Sequence, residues 1–336
     1  MPRRRNWDGL TPVPGDGRYE WDGFLSAAEL PGAYNPPAGW LASANQFNLP
    51  ADYPRERIVG FEWSNDARMR RISQVLAADT RHSLEASMAL QTDPTNITAA
   101  RLIPLVEAMA TRDADALSAQ RLLRGYDGRA TVESGAAALY EVWLFKHLGR
   151  ATVERQAPAA ARALIGAGDL PAVMDHLEAL RPAERDPILS ASLAAAFAEV
   201  RGVLGSDTAG WAWGDLHQAR FEHPLFALAP PEAREAMAAG PAPVAGTMLS
   251  PLAATWRGSD YRITAGGSFR MVLGVGDWDN SRVINTPFQP VDPPSPHFPD
   301  LFPLWAQGRY VPMVYTRPAV EAATARVQLL TPAPGR

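Results

Sequence analysis

The sequence predicts an α+β fold with a large helical block at its centre. Three observations lead there. The 31 prolines crowd into the first ~55 and last ~100 residues, where helices are hard to continue. The stretch between is rich in Ala, Leu, Glu and Arg, with apolar residues at helical spacing. After residue 258 short runs of β-branched and apolar residues alternate with turn residues, the pattern of strands.

Residues 8–64 read as loops and short strands. Thr11-Pro12-Val13-Pro14-Gly15-Asp16-Gly17, Leu30-Pro31-Gly32 and Asn35-Pro36-Pro37 are dense turn chemistry. Between them stand Tyr19, Trp21, Phe24, Tyr34, Trp40, Phe47, Tyr53, Phe61 and Trp63. So many aromatic rings in a loop-rich stretch are expected to pack on something.

Residues 65–204 read as a run of helices. Asn65 is expected to cap a helix carrying Met69, Ile72, Val75 and Leu76. Ser83 starts a shorter one, ended at Gln91-Thr92-Asp93-Pro94. Further helices are expected around 97–110, 113–124, 133–147, 157–166, 170–179 and 187–204. For the last, Asp186 reads as the cap and Pro187 as the first turn. Leu189, Leu193, Phe197, Val200 and Leu204 make one stripe before Gly205. Because its contacts are local, this block is the part expected to fold alone.

Residues 206–258 read as loop. Strands are expected at Asp260–Thr264, Ser268–Leu273 and Ser281–Asn285, with a turn over 274–280. After the proline cluster 287–299, short helices are expected near 300–307 and 317–326. The whole, 1–336, reads as one partial domain in three regions: 8–64, 65–204 and 205–336.

Composition excludes several functions. With 32 basic and 36 acidic residues the net charge is −4, so no nucleic-acid backbone is an expected partner. Of the basic residues only Lys146 is a lysine. The absence of cysteine rules out disulfides, thiolate metal sites and a cysteine nucleophile. No run approaches the ~20 apolar residues of a membrane span, so no membrane partner is expected. The basic start Arg3-Arg4-Arg5 has no apolar core behind it and does not read as a signal peptide.

Most residues with chemical potential read blandly. Asp215, His217 and His223 could ligate a metal, but their spacing fits neither a helical His pair nor a zinc finger, so hydrogen-bonded loop histidines are expected. Asn96-Ile97-Thr98 is too short a match to count as a glycosylation site. Gly266-Gly267-Ser268 is no nucleophile elbow, and Gly274-x-Gly276 lacks the third glycine of a dinucleotide fingerprint. Asp277 and Asp279 could be an acid/base pair, though a turn accounts for both. From spacing alone Asn45 is a turn residue and Arg68 a solvated helix residue. A stand-alone hydrolase built on Asp215, His217 and Ser268 has no spacing behind it.

The order of several short segments says more. They run Pro14-Gly15-Asp16-Gly17-Arg18-Tyr19-Glu20-Trp21-Asp22-Gly23, Asn35-Pro36, Gly39, Ala44-Asn45, Asp52-Tyr53-Pro54 and Ala67-Arg68-Met69-Arg70-Arg71-Ile72. Then come Gln91-Thr92-Asp93, Trp213-Gly214-Asp215-Leu216-His217 and His223-Pro224. Gly267-Ser268-Phe269-Arg270-Met271-Val272, Gly276-Asp277-Trp278-Asp279-Asn280, Ser295-Pro296-His297-Phe298 and Leu304-Trp305-x-x-Gly308-x-Tyr310 complete the set. In this order they resemble the penicillin acylase (penicillin amidase) family of N-terminal-nucleophile hydrolases, and within it the C-terminal part of the β chain. The resemblance runs from about Trp7 to about Val327.

The resemblance implies a portion of a four-layer αββα sandwich and a hydrolase acting on carbon–nitrogen bonds in linear amides. It implies a serine nucleophile at the start of the β chain, whose own α-amine is the base. No segment here matches that region, so this chain contains no nucleophile and is expected to be inactive alone. Asn45 matches the asparagine that stabilises the oxyanion, and Arg68 the arginine that orients that asparagine and the nucleophile's amine. The implied partners are an upstream α chain, the N-terminal β segment and a small N-acyl amide such as an acylated β-lactam or an N-acyl homoserine lactone. No cofactor is implied. The family's calcium takes most ligands upstream, and the carboxylate expected between Asn45 and Arg68 falls at Arg57, beside Glu56, so no metal is assigned here. Other departures are Ala265, where many members have His, and Phe288-Gln289-Pro290-Val291 in place of Gly-Gln-Ser-Gly. Family resemblance implies a periplasmic or secreted protein. The competing expectation is a non-catalytic remnant that binds a partner through its aromatic loops.

Overall fold

The structure, a computed structural model, describes residues 1–332 apart from 55, 56, 59, 157, 159, 161–169, 287–294, 296 and 298; at 153–156 it describes the backbone. The helix expected over 157–166, the 288–291 departure, Glu56, Pro296 and Phe298 therefore lie outside the described residues.

Strands β1 (Pro2–Arg4) and β2 (Trp21–Phe24) pair antiparallel, and most other described residues up to 65 are loop, with a 3-10 turn at Ala27–Glu29, as the turn chemistry suggests. The aromatic residues depart from expectation. Trp21, Phe24, Tyr34 and Phe47 are exposed, Tyr34 by 90%. Trp21 pairs with Phe24, and Phe47 with Trp63, in edge-to-face ring contacts.

The helical block follows: α1 (Ala67–Ala78), α2 (Leu84–Gln91), α3 (Ala99–Glu107), α4 (Ala114–Leu123), α5 (Gly135–Val142), α6 (Gly149–Gln156), α7 (Leu170–Ala179) and α8 (Pro182–Leu204). Caps explain the starts. The Ser83, Asp113 and Ser134 side chains accept the Ala86, Ala116 and Ala137 N–H groups, and Asn65 Oδ1 accepts from Ala67. A π-helical segment, Trp143–Leu148, joins α5 to α6, where the sequence suggested an end. α8 starts earlier than expected, with Pro182 in its first turn and Arg181 as the cap. Asp186 is not a cap: it is buried inside the helix, and its Oδ2 accepts the Ala110 N–H at 2.9 Å. α8 is long enough to cross a bilayer. However, it carries Arg185, Asp186, Glu199 and Arg201, and its Leu189, Leu193, Phe197 and Val200 stripe lies in the core.

The core corrects the idea of a self-sufficient helical block. Leu102, Val106, Leu139, Trp143, Leu144, Leu189 and Leu193 share one cluster with Trp211, Trp213, Leu216, Leu249 and Tyr261 from further along the chain. Polar contacts reinforce the join. Glu199 of α8 receives Lys146, His147 (2.8 Å) and the Tyr261 hydroxyl, and Lys146 also donates to the Gly258 carbonyl at 2.7 Å.

Residues 206–258 are not all loop. They form α9 (Trp213–Leu216), β3 (Gln218–Glu222), α10 (Pro231–Arg234), β4 (Ala238–Pro243) and β5 (Ala254–Trp256). β3 and β4 are a two-stranded antiparallel sheet. Pro241 and Pro243 hid β4, yet a strand with one free edge tolerates the missing N–H groups. β5 pairs with β6 (Ile263–Gly266). β7 (Arg270–Val272), β8 (Ser281–Ile284) and β9 (Val311–Met313) form a three-stranded antiparallel sheet in that order. β9 is the partner the sequence did not announce. α11 (Phe302–Ala306) packs with β3, β4 and β8 in a second core of Ala219, Ala239, Val244, Ile284, Phe302 and Trp305. α12 (Arg317–Ala323) ends the described elements.

The quoted segments meet across this fold. Gln91 Nε2 donates to the Met271 carbonyl at 2.9 Å, and the Tyr310 hydroxyl donates to Gln91 Oε1 at 2.7 Å. Asp93 accepts Arg71 Nε at 2.6 Å and the Thr95 N–H at 3.0 Å. These contacts tie α1 to the turn after α2, and α2 to β7 and to Tyr310 just before β9.

Candidate functional site

Asn45 is shaped by its neighbours. Ala44 and Gln46 are buried, and the Ala44 N–H donates to Gln46 Oε1 at 2.8 Å. Asn45 between them has φ +66°, a left-handed conformation that asparagine tolerates better than most residues. Its side chain is thereby turned outward. The Ser64 N–H donates to the Asn45 carbonyl at 2.9 Å, tying this loop to the chain entering α1.

Arg68 lies in the first turn of α1, half-buried. Its Nη2 donates to Asn45 Oδ1 at 3.0 Å. A guanidinium carries only donors, so the oxygen of the amide must face it. Nδ2 then faces elsewhere, and among the described residues it has no partner. Arg68 meets no carboxylate among the described residues, and burial lowers its pKa from the ordinary arginine value. The two residues singled out in the sequence are thus joined, with the two N–H donors of Asn45 Nδ2 left free.

Arg68 also lines a cleft of about 880 Å³, with Trp40, Leu41, Ile72, Met248 and Phe269 among its walls. Ser64, Arg68, His82, Gln91 and Arg270 stand among these apolar residues, a mixed lining that can hold a small molecule with both apolar and polar parts.

The other candidates fall to structural roles. His217 is buried, stacked on Trp213 at 4.5 Å, and its Nδ1 lies 2.6 Å from the Val244 carbonyl. Burial pushes its pKa down to about 4. Asp215 is exposed, and neither it nor Ser268 contacts His217, so no hydrolytic triad forms. His223 Nδ1 accepts the Leu225 N–H at 3.1 Å. Asp279 accepts from the Tyr315 and Thr316 N–H groups and the Thr316 hydroxyl, which holds the start of α12. Asp277 precedes a 3-10 turn, so the turn reading accounts for both. Among the described residues no group of three acidic or His side chains could hold a metal. Arg57 faces Glu29 at 3.6 Å; a guanidinium cannot ligate calcium, so this position does not fit the family's ion.

Sequence reasoning missed a buried acid. Glu141 is fully buried, next to Asn96, whose Nδ2 donates to Glu141 Oε1 at 3.0 Å. Asn96 Oδ1 accepts from Thr98, and Thr98 Oγ1 lies 2.8 Å from the Tyr140 hydroxyl. This burial also removes Asn96 as a glycosylation site. Burial raises the Glu141 pKa from 4.5 to about 8, against the pull of Asn96. The folded state therefore keeps a proton that the unfolded chain releases. That stability is fully present below pH 4.5 and is lost as pH rises through about 8. Glu141→Gln is expected to abolish this slope. In melts from pH 4 to 9, the melting temperature of the variant minus that of wild type should climb with pH. Taking the difference cancels the opposite slope of His217. A difference independent of pH would contradict the assignment.

Comparison with known proteins covers the whole chain. The family model for penicillin amidase matches residues 1–322. The acyl-homoserine lactone acylase QuiP of Pseudomonas putida is 31% identical, over 100% of this chain and 44% of that protein. The penicillin acylase 2 proenzyme of Pseudomonas sp. SE83 is 28% identical, over 99% of this chain and 44% of its own length. The chain thus spans less than half the length of these curated relatives. A thermostable penicillin G acylase from Alcaligenes faecalis superposes with a TM-score of 0.63 at 18% identity, over 100% of this chain and 65% of that one. Its fold is the fold seen here.

Proposed function

This chain belongs to the penicillin amidase family, and from that premise we propose that it supplies the oxyanion half of an amide-hydrolysing site. The hydrogen bond from Arg68 to Asn45 Oδ1 carries the reading, because it leaves the Asn45 N–H free to donate. In the reaction a serine hydroxyl adds to the carbon of an N-acyl amide and the carbonyl oxygen becomes an oxyanion. Asn45 Nδ2 donates to that oxygen. A preorganised donor stabilises the charge without reorganising. Arg68 holds the amide in register, and its charge favours the developing anion. Collapse expels the amine with a proton, and water then releases the carboxylic acid from the acyl-serine.

The serine and its amine lie in an upstream segment in this reading, so residues 1–336 alone are inactive. We propose that the α chain and the early β segment dock on the exposed aromatic residues Trp21, Phe24, Tyr34 and Phe47. The test compares the complete polypeptide encoded by the gene with residues 1–336 alone, on an N-acyl amide panel. The complete protein should release acid and amine in equal amounts, and the shorter chain neither. Turnover by residues 1–336, or none by the complete protein, would overturn the proposal.

A further inference from the structure

Arg270, at the start of β7, is only 7% exposed. Arginine is rarely so buried unless paired. Arg71, Arg101, Arg201 and Arg220 all meet an Asp or Glu. Arg270 meets none among the described residues. Its Nη1 donates to the Trp305 carbonyl at 3.1 Å, and its guanidinium lies 4.9 Å from the Trp305 ring centroid. The nearby Tyr310 hydroxyl is already committed to Gln91.

Among the described residues Nε and Nη2 of the fork have no hydrogen-bond partner. Arg270 lines both the 880 Å³ cleft and an inner pocket of about 140 Å³. Unlike the Nε atoms of Arg4 and Arg185, its nitrogens are not sealed away without a partner. The inner pocket is walled by Phe221, Val244, Leu252, Ile263 and Trp305, with Phe221 edge-on to Trp305. Arg220 lines it too, but is occupied by Glu235 at 2.9 Å. An apolar cavity of roughly 150 Å³ is large enough to take a benzene ring.

We propose that the inner pocket binds a small monocarboxylate bearing an aryl or short alkyl group, with the apolar group among Phe221, Ile263 and Trp305 and the carboxylate on Arg270. Charge decides the headgroup, since the fork of N–H donors matches two carboxylate oxygens. The walls decide the tail. The proposed contacts use neither Asn45 nor Arg68, although Arg270 also borders the cleft that Arg68 lines, so a variant at Arg68 separates this site from the hydrolytic reading.

The probe is benzoate, with benzamide as its neutral counterpart, titrated calorimetrically into the complete polypeptide. Benzoate should bind saturably, and benzamide more weakly by about ten- to a hundred-fold, the worth of a charge-assisted hydrogen-bond pair. Arg270→Gln should weaken benzoate by a similar factor. Ala265→Phe, at an exposed position of β6 that lines the pocket, should block it without touching Arg270. Arg68→Gln should leave it unchanged. No saturable binding of benzoate, as when a carboxylate elsewhere in the polypeptide already pairs with Arg270, overturns the proposal. So does equal binding of benzamide, survival in both pocket variants, or loss in Arg68→Gln.

Discussion

On the proposed function, Asn45→Ala is expected to lower kcat for amide hydrolysis by the complete protein by about 10²–10³-fold and to leave KM nearly unchanged. The expected size follows from removing one donor from a preorganised oxyanion site. The split follows from timing, because the donor meets full negative charge only in the transition state. Alanine brings a second effect, since Asn45 sits at φ +66°, where alanine is strained. Asn45→Gly separates the two, as glycine adopts this conformation freely. Both variants should be slowed alike. If the glycine variant keeps wild-type turnover, the loss in alanine comes from the loop, and Asn45 is no oxyanion donor.

Trp213→Ala destabilises the fold by about 3–5 kcal/mol, as expected for a large aromatic residue deleted from a core. Trp213 is fully buried. Its Nε1 donates to the Gly246 carbonyl at 3.0 Å, its ring lies flat on His217, and its edge meets Trp256. The truncation leaves a cavity, an orphaned carbonyl and an unsupported histidine together. Its place explains why it matters: it lies where the core of the helical block passes into the C-terminal strands. Urea denaturation should show the loss as a lower midpoint at unchanged slope. A cost under 1 kcal/mol would mean that the two regions are held independently.

Helices were legible from apolar spacing, as over 113–124 and 170–179, and at Ser83 from its cap. They misled where proline has two uses. Pro187 reads as a first-turn residue, but Pro182 holds that place and Pro187 lies inside the helix. β4 and β9 were invisible because Ala238–Pro243 and Val311–Met313 show no alternation; their partners, β3 and β8, define them. Asn45 and Arg68 were legible as a pair only through the order of surrounding segments, since neither is unusual by spacing. Their contact is a tertiary fact, made by a loop and a helix that burial positions separately. Glu141 left no local sign, because burial alone sets its proton. Arg270 left one: an arginine between apolar neighbours in a strand.

The measurement that tests the account most directly is a double-mutant cycle on turnover by the complete protein, using Asn45→Gly, Arg68→Ala and the pair. If Arg68 acts through Asn45, removing both should cost little more than removing Asn45 alone, so the two losses overlap strongly. Losses that simply multiply would show that the 3.0 Å contact has no part in catalysis, and wild-type turnover in all three variants would place the oxyanion site elsewhere.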